Sequence, residues 1–380
     1  MPATPRDLPV WTLAAARLRA GAPVALLLVV RSAGSSPGRQ GFKMAVTADA
    51  VAGSIGGGIM EHKWVELARQ RLREADAAPL LRPQVHRREA PADRSGMMCS
   101  GEQEVLLLPL TPADLPAVAA IESALQTLRG GYLSVSAAGG LRFLPPVASA
   151  SSVASITSAA PVTIGADNAP GNAAPTGWAA PVASTAAAET PAPLASESLT
   201  DPDDCYHYQP GVAWHYRERL GFRDQLLIVG GGHVSLALAN VLAALDFELT
   251  VLDDRVDLPT LAANHAAHHR HVVDYAQVAA AVPAGPRAYV VVMTVGYRTD
   301  AVVLHQLLAR ARQGRPYRYL GVMGSVAKVA ELRRGLRETG FSDAEIAHLR
   351  GPIGLPIHSQ TPEEIAISIA AELIRTRREV

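Results

Sequence analysis

The chain has 380 residues, 48% of them hydrophobic, which is material for more than one packed core and excludes disorder throughout. Its 35 basic residues balance its 35 acidic ones, so no global field draws it to phosphate backbones or anionic lipid, and neither nucleic acid nor a membrane is expected as a partner. The two cysteines, Cys99 and Cys205, lie far apart without Cys-x-x-Cys spacing, which argues against a disulfide scaffold or a structural zinc site and for a reducing, cytoplasmic compartment.

The start carries charges of both signs and lacks the apolar core of an export signal. A short helical stretch around Trp11 leads into Ala22 to Val30, far shorter than the roughly 20 apolar residues that cross a bilayer, so it reads as a buried strand. A Gly/Ser/Pro turn follows at 34–38, then a short strand around Lys43 to Val46, a triple glycine at Gly56, Gly57 and Gly58, and a helix from about Glu61 to Arg73. Strand, glycine loop and helix in that order form a cradle for something anionic or flat. Cys99 sits in a small turn before the strand Glu104 to Leu108; beside Arg94 its thiol is either activated or, as is usual for a free cysteine, inert and buried.

From about Pro145 to Thr200 the composition shifts to Ala, Ser, Pro and Thr with one aromatic, Trp178, and no stable core can be written for it. Residues 145–205 are therefore expected to be a low-complexity linker between an N-terminal unit, 1–144, and a C-terminal unit, 206–380. In the latter, strands at 226–229, 249–252, 289–294 and 319–322 alternate with helices, the pattern of a doubly covered parallel sheet. The fold class is thus α/β, with a C-terminal Rossmann-like parallel sheet and a separate N-terminal α/β domain. Thr361, Pro362 and Glu364 mark the start of the last helix and Arg375, Arg377 and Arg378 its end. Its face Ile365, Ile369 and Leu373 is read as core, with a docking face for partners or a homodimer as the other reading.

The run Leu226 to Ser235 leaves a strand through Gly230, Gly231 and Gly232 and enters a helix, the setting of a dinucleotide fingerprint. Gly230 suits the tight turn, Gly232 lets a pyrophosphate approach, and Ser235 stands where the third glycine is usual. Asp253, about 20 residues on, is placed to bind a ribose diol, so the ligand is NAD or another nucleotide without a 2′-phosphate. Gly324 and Ser325, ahead of Lys328, either receive an anion or form a helix cap, and Asp300 is open between an N-cap and a ligand contact. The histidines at 265, 268, 269 and 271 read as a polar surface turn, and no metal site is expected.

Together these motifs resemble the xanthine dehydrogenase accessory protein family, XdhC/CoxI. The resemblance rests on Gly34 to Pro37, Lys43-Met44, Gly53 to Glu61, Gly230 to Val234, Asp253 to Arg255, Tyr319 to Ser325, and Gly354 to Ile357 running into Thr361 to Ala366. It implies binding of molybdenum cofactor (molybdopterin), support for its sulfuration, and delivery to xanthine dehydrogenase or a related molybdoenzyme, with a cysteine desulfurase as a further partner. Ser36, Lys43, Gly56, Gly57, Gly58 and Glu61 would then hold the pterin, His233 would stand in the second motif, and Cys99 would be a molybdenum ligand or sulfur relay, in a Cys-Ser-Gly turn where many members have Cys-Gly-Gly. A maturation chaperone is the implied role; an NAD-dependent oxidoreductase is the alternative.

Overall fold

The computed structural model describes residues 2–85, 101–137, 139–146, 205–283 and 285–379. After helix α1 (Leu8–Arg19), the apolar run becomes strand β1 (Val24–Ala33), followed by β2 (Lys43–Val46) and β3 (Val51–Gly53). Helix α2 (Gly58–Arg73), β4 (Leu80–Val85) and β5 (Glu102–Leu110) complete a sheet of order β3-β2-β1-β5-β4, antiparallel at every pairing. Residues 24–30 are all buried because β1 lies mid-sheet with helices on both faces. Val24, Leu26 and Leu28 pack with Trp11, Ala14 and Leu18 of α1, and with Val118 and Ile121 of helix α3 (Leu115–Gln126). Ala25, Leu27 and Val29 point the other way, onto Trp64, Val65 and Ala68 of α2. Pro83 falls in β4, an edge strand, where a missing N–H is tolerated.

Strands β6 (Gly131–Ser136), β7 (Gly139–Leu144), β8 (Tyr206–Gln209) and β9 (His215–Leu220) form a second antiparallel sheet of order β7-β6-β9-β8. Leu133, Val135, Tyr216 and Leu220 from it enter the same core as Leu26 and Leu28. The composition of 145–205 reads as a divider between domains, yet the chain on either side of it joins one sheet. Residues 215–220 pair with β6 of the N-terminal half and carry β8 on their other side, and the parallel sheet begins only at Asp224.

That parallel sheet runs β10 (Asp224–Val229), α4 (His233–Leu242), β11 (Phe247–Asp253), α5 (Pro259–Ala262), β12 (His269–Val272), α6 (Val278–Ala281), β13 (Gly285–Val292), α7 (Tyr297–Arg312), β14 (Tyr317–Val322), α8 (Val326–Glu338), α9 (Asp343–Ala347), β15 (Leu349–Arg350) and α10 (Pro362–Arg378). Its order is β12-β11-β10-β13-β14-β15, which is Rossmann-like, with the direction of winding reversing between β10 and β13. Leu226 and Ile228 pack with Leu238 and Leu242 of α4 and Ile369 and Leu373 of α10; Leu227 and Val229 pack on the other face with Leu304 and Leu307 of α7 and Leu332 of α8. Ile369 and Leu373 are therefore core. The capping box of α10 forms, with the Thr361 hydroxyl accepting from Glu364 N and the Glu364 carboxylate accepting from Thr361 N at 3.1 Å. Among the described residues no helix is long and apolar enough to cross a membrane.

Candidate functional site

In a parallel sheet, a ligand crevice opens where the winding reverses, beyond the carboxyl ends of the strands. Here that point is framed by the loop after β10 and the loop after β13. Gly230 has φ +113°, donates to Leu252 O at 2.7 Å, and any Cβ at that position would collide with the Met293 carbonyl, so close packing of two strand ends requires glycine. The Gly231 amide donates to Asp253 Oδ2 at 2.6 Å. Gly232 starts α4 with no side-chain cap and open space where a Cβ would stand, and His233 beside it is exposed. Ser235 is fully buried, so the helix still closes on the strand without a third glycine.

Asp253 is also fully buried, and Arg255 grips both its oxygens, with Nε at 2.8 Å from Oδ1 and Nη2 at 2.9 Å from Oδ2. Burial alone would raise its pKa, but the Arg255 guanidinium and the Gly231 amide overcome this and hold the carboxyl down at about 2. This corrects the expectation of a ribose-binding carboxylate, because both oxygens are engaged within the protein.

Across the crevice, Asp300 is fully buried in the first turn of α7, accepting from Thr294 N at 3.1 Å and pairing with Lys328 Nζ at 2.5 Å. It is thus neither the helix cap nor an open ligand contact but an anchor for Lys328, whose ammonium also donates to Met323 O at 3.3 Å. Gly324 lies beneath the Lys328 stem, where a Cβ would strike it, and Ser325 caps α8 by accepting from Lys328 N at 3.2 Å. The crevice therefore offers the uncapped start of α4 on one side and one partly exposed ammonium on the other.

In the N-terminal half, three turns converge. A Cβ on Gly38 would collide with Ile55 O, one on Gly56 with the Gly38 backbone, and one on Gly101 with Ser35 and Ser36. The Ser36 hydroxyl is buried and donates to Gln103 Oε1 at 2.8 Å, and that oxygen also accepts from Gly38 N at 3.0 Å. Glu61 fills the triple-glycine turn itself, its Oε2 accepting from Ser54 Oγ at 2.6 Å and from the amides of Ile55 and Gly57 at 2.9 Å each, while Gly56 N donates to Ser54 Oγ at 3.1 Å. Gly57, at φ +77°, has open space around it, and Gly58 begins α2.

Lys43 does not reach this turn. It is 4% exposed and pairs with Asp7 and, at 2.9 Å, with Glu218 of β9. Although burial works against the charge, these two carboxylates raise its pKa. Cys99 lies outside the described residues. Cys205 is half-buried, 3.7 Å from Arg219 Nη2. Sequence reasoning missed Gln103, which lies between Glu102 and Glu104 with nothing to set it apart from them, and the engagement of Arg255 and Lys328.

The histidine group runs from the turn that holds His265, through the bend at His268, onto β12, which carries His269 and His271. Leu249 N donates to His268 Nδ1 at 2.8 Å, so the proton sits on Nε2, which donates to Ala3 O at 2.8 Å; His269 pairs with Glu248 at 3.1 Å. Burial pushes the pKa of His268 down despite the Ala3 carbonyl and Glu248, and burial likewise lowers that of His271. The unfolded chain then takes up these protons near pH 6.5 while the folded chain resists, so stability falls as pH drops below that value. Urea midpoints measured from pH 7.5 to 5 should decline, and more shallowly in His268→Gln; a slope equal to the parent's removes His268 as a cause.

The strand order β12-β11-β10-β13-β14-β15, with a glycine loop entering a helix at the switch point, places the C-terminal half in the Rossmann-like class. Residues 226–373 match the XdhC Rossmann domain and residues 17–82 the XdhC and CoxI family, and the chain belongs to that family. It is 32% identical over 158 residues, 41% of this chain, to the uncharacterized protein YqeB of Escherichia coli, and 28% identical over 163 residues, 43% of this chain, to a probable xanthine dehydrogenase subunit of Bacillus subtilis. Those matches span only 28% and 46% of the relatives' own lengths. A crystal structure of a xanthine dehydrogenase from Bacillus halodurans superimposes with a TM-score of 0.60 at 20% identity, covering 97% of this chain and 95% of that one, a likeness of fold.

Proposed function

We propose that this chain binds molybdenum cofactor, protects it, supports its sulfuration and delivers it to an apo-molybdoenzyme such as xanthine dehydrogenase. The observation that supports the reading most directly is the uncapped start of α4 at the switch point, open at Gly232. Free amides and the positive end of a helix dipole favour a phosphate there, and an ammonium within the same crevice adds to it.

The two sets of sequence-derived residues differ in how well they suit a phosphorylated pterin. Ser36 and Lys43 do not fit, since the first is buried on Gln103 and the second in an ion-paired cluster. The Gly56 amide is taken by Ser54 Oγ and the Gly57 amide by Glu61, so a ligand at that end has only the helix start from Gly58 onward. Gly232, His233 and Lys328 do fit and would hold the phosphate. When bound, the cofactor brings a flat heterocycle and a metal centre that takes up sulfur. Cys99 is the soft donor in the chain suited to relay that sulfur from a cysteine desulfurase. An NAD-dependent oxidoreductase gains no support here, because the carboxylate that would read the ribose is held by Arg255.

The test is the protein purified from a molybdenum-replete host. Oxidised pterin fluorescence should accompany the parent chain and fall at least severalfold in Lys328→Met, while NAD and NADH should show no binding at millimolar concentration. A parent chain that carries no pterin and takes up none when cofactor is added removes the proposal.

A further inference from the structure

Strand β14 is paired along its length with β13, from Gly285 opposite Tyr317 to Val292 opposite Val322. On its other side β15 covers it only at Leu320 and Gly321. Beside the uncovered first half of β14 a cavity of about 620 Å³ opens, walled by the end of α7, by α8, by α9 and by the chain from His348 to Gly351. It lies at the opposite end of β14 from the switch-point crevice, roughly 20 Å away for a strand of this length.

Four arginines line the cavity, Arg312, Arg318, Arg333 and Arg350, against two carboxylates, Glu345 and Glu372. Both carboxylates are engaged. Glu345 pairs with Arg312 at 2.5 Å and closes the capping box of α9, and Glu372 accepts from Gly354 N. The other three guanidiniums are left in excess. Arg318 and Arg333 have no carboxylate within ion-pair distance among the described residues, and they reach main-chain carbonyls instead, Arg318 those of Thr376 at 3.1 Å and of Glu379, and Arg333 that of Leu349 at 3.0 Å. Arg350 has only Glu379, at 3.9 Å. Two further donors are buried without a partner, Arg333 Nε and the Tyr317 hydroxyl. Burial pushes the Tyr317 phenol up to about 12, so it remains a neutral donor at physiological pH.

Buried donors without acceptors are rare in folded proteins and call for an acceptor from outside. Guanidinium forks coming from three separate elements, β14, α8 and β15, suit a tetrahedral oxyanion whose oxygens point in different directions better than a planar carboxylate, which a single fork satisfies. The volume is that of a small-molecule site rather than of a lone ion. We propose that this cavity binds a phosphate monoester, a small phosphorylated metabolite, held by Arg318, Arg333, Arg350 and the Tyr317 hydroxyl. The site is distinct from the switch-point crevice, and its occupancy bears on the packing of α8 and α9 against the sheet edge.

The experiment is calorimetric titration of the full-length protein with phenyl phosphate, with inorganic phosphate as competitor. Against the parent, Arg350→Met should bind about tenfold more weakly and Tyr317→Phe about threefold more weakly. Arg350 is exposed at the rim and its replacement leaves the fold intact; should Arg333→Met fail to fold, Arg350→Met and Tyr317→Phe carry the result. Absence of saturable binding up to about 10 mM, a range set by the weakest useful affinities, overturns the proposal. So does parental affinity in folded Arg350→Met, or a loss confined to Lys328→Met, which would put the phosphate in the crevice.

Discussion

Lys43→Met is expected to lower the unfolding free energy by about 3–5 kcal/mol, the usual result of removing one partner from a buried ion pair. Glu218 is 1% exposed and would keep its carboxylate facing an apolar neighbour, with Tyr216 Oη at 2.8 Å as its remaining hydrogen-bond donor. Burial already raises the Glu218 pKa, and without the lysine the group would be forced further toward its neutral form. The double variant Lys43→Met/Glu218→Gln should recover part of the loss, since the uncompensated charge is gone. Urea unfolding of the parent and both variants decides it, and a single-variant loss under about 1 kcal/mol would show that the pair adds nothing. Lys43 comes from the first sheet and Glu218 from the second, so the same measurement reports how firmly residues 206–220 are joined to the N-terminal half.

Gly38→Ala and Gly57→Ala should separate two uses of glycine in neighbouring turns. At Gly38 a Cβ would overlap Ile55 O and Gln103 Oε1, and the carbonyl belongs to backbone that is itself locked by Gly56. A loss of about 3 kcal/mol or more is expected, at the upper end of what overpacking costs. At Gly57 nothing stands within 4 Å, and the penalty is that of an L-residue at φ +77° and ψ −174°, a region left almost wholly to glycine, about 1–3 kcal/mol. Thermal melts followed by circular dichroism should therefore show a severe effect for Gly38→Ala and a mild one for Gly57→Ala. Equal melting temperatures would mean that the turns pack less tightly than described.

Local signals in the sequence carry most of the C-terminal half. The strands at 226–229, 249–252 and 319–322 are apolar runs bounded by glycine or acid, and the capping box at Thr361 is contained within four residues, so each is readable without knowledge of the rest. What pairs across long separations is not. The sheet of β6, β7, β8 and β9 is assembled from both sides of the Ala/Ser/Pro stretch, and nothing near His215 says that β9 has a partner, β6, that precedes that stretch. The same holds for the site. Sequence alone marks the glycines as special but does not say what comes close to them. At Gly38, Gly56, Gly101 and Gly230 it is another stretch of backbone rather than a ligand, and at Gly232 no atom of the protein does so. Lys43 and Asp253 fail as ligand contacts for a related reason, since a charged residue in a motif does not disclose that Glu218 or Arg255 already faces it.

Strands β7 and β8 are the two outer members of their four-stranded sheet, and since every pairing is antiparallel, β7 finishes and β8 starts at the same end. Three inter-strand steps separate them, roughly 14 Å, a gap that about five to ten extended residues would bridge. The 61 positions from 145 to 205 are thus far in excess of what the connection demands. Because closing a connection grows costlier only with the logarithm of its length, a separation of this size in sequence is no obstacle to β6 and β9 pairing across it.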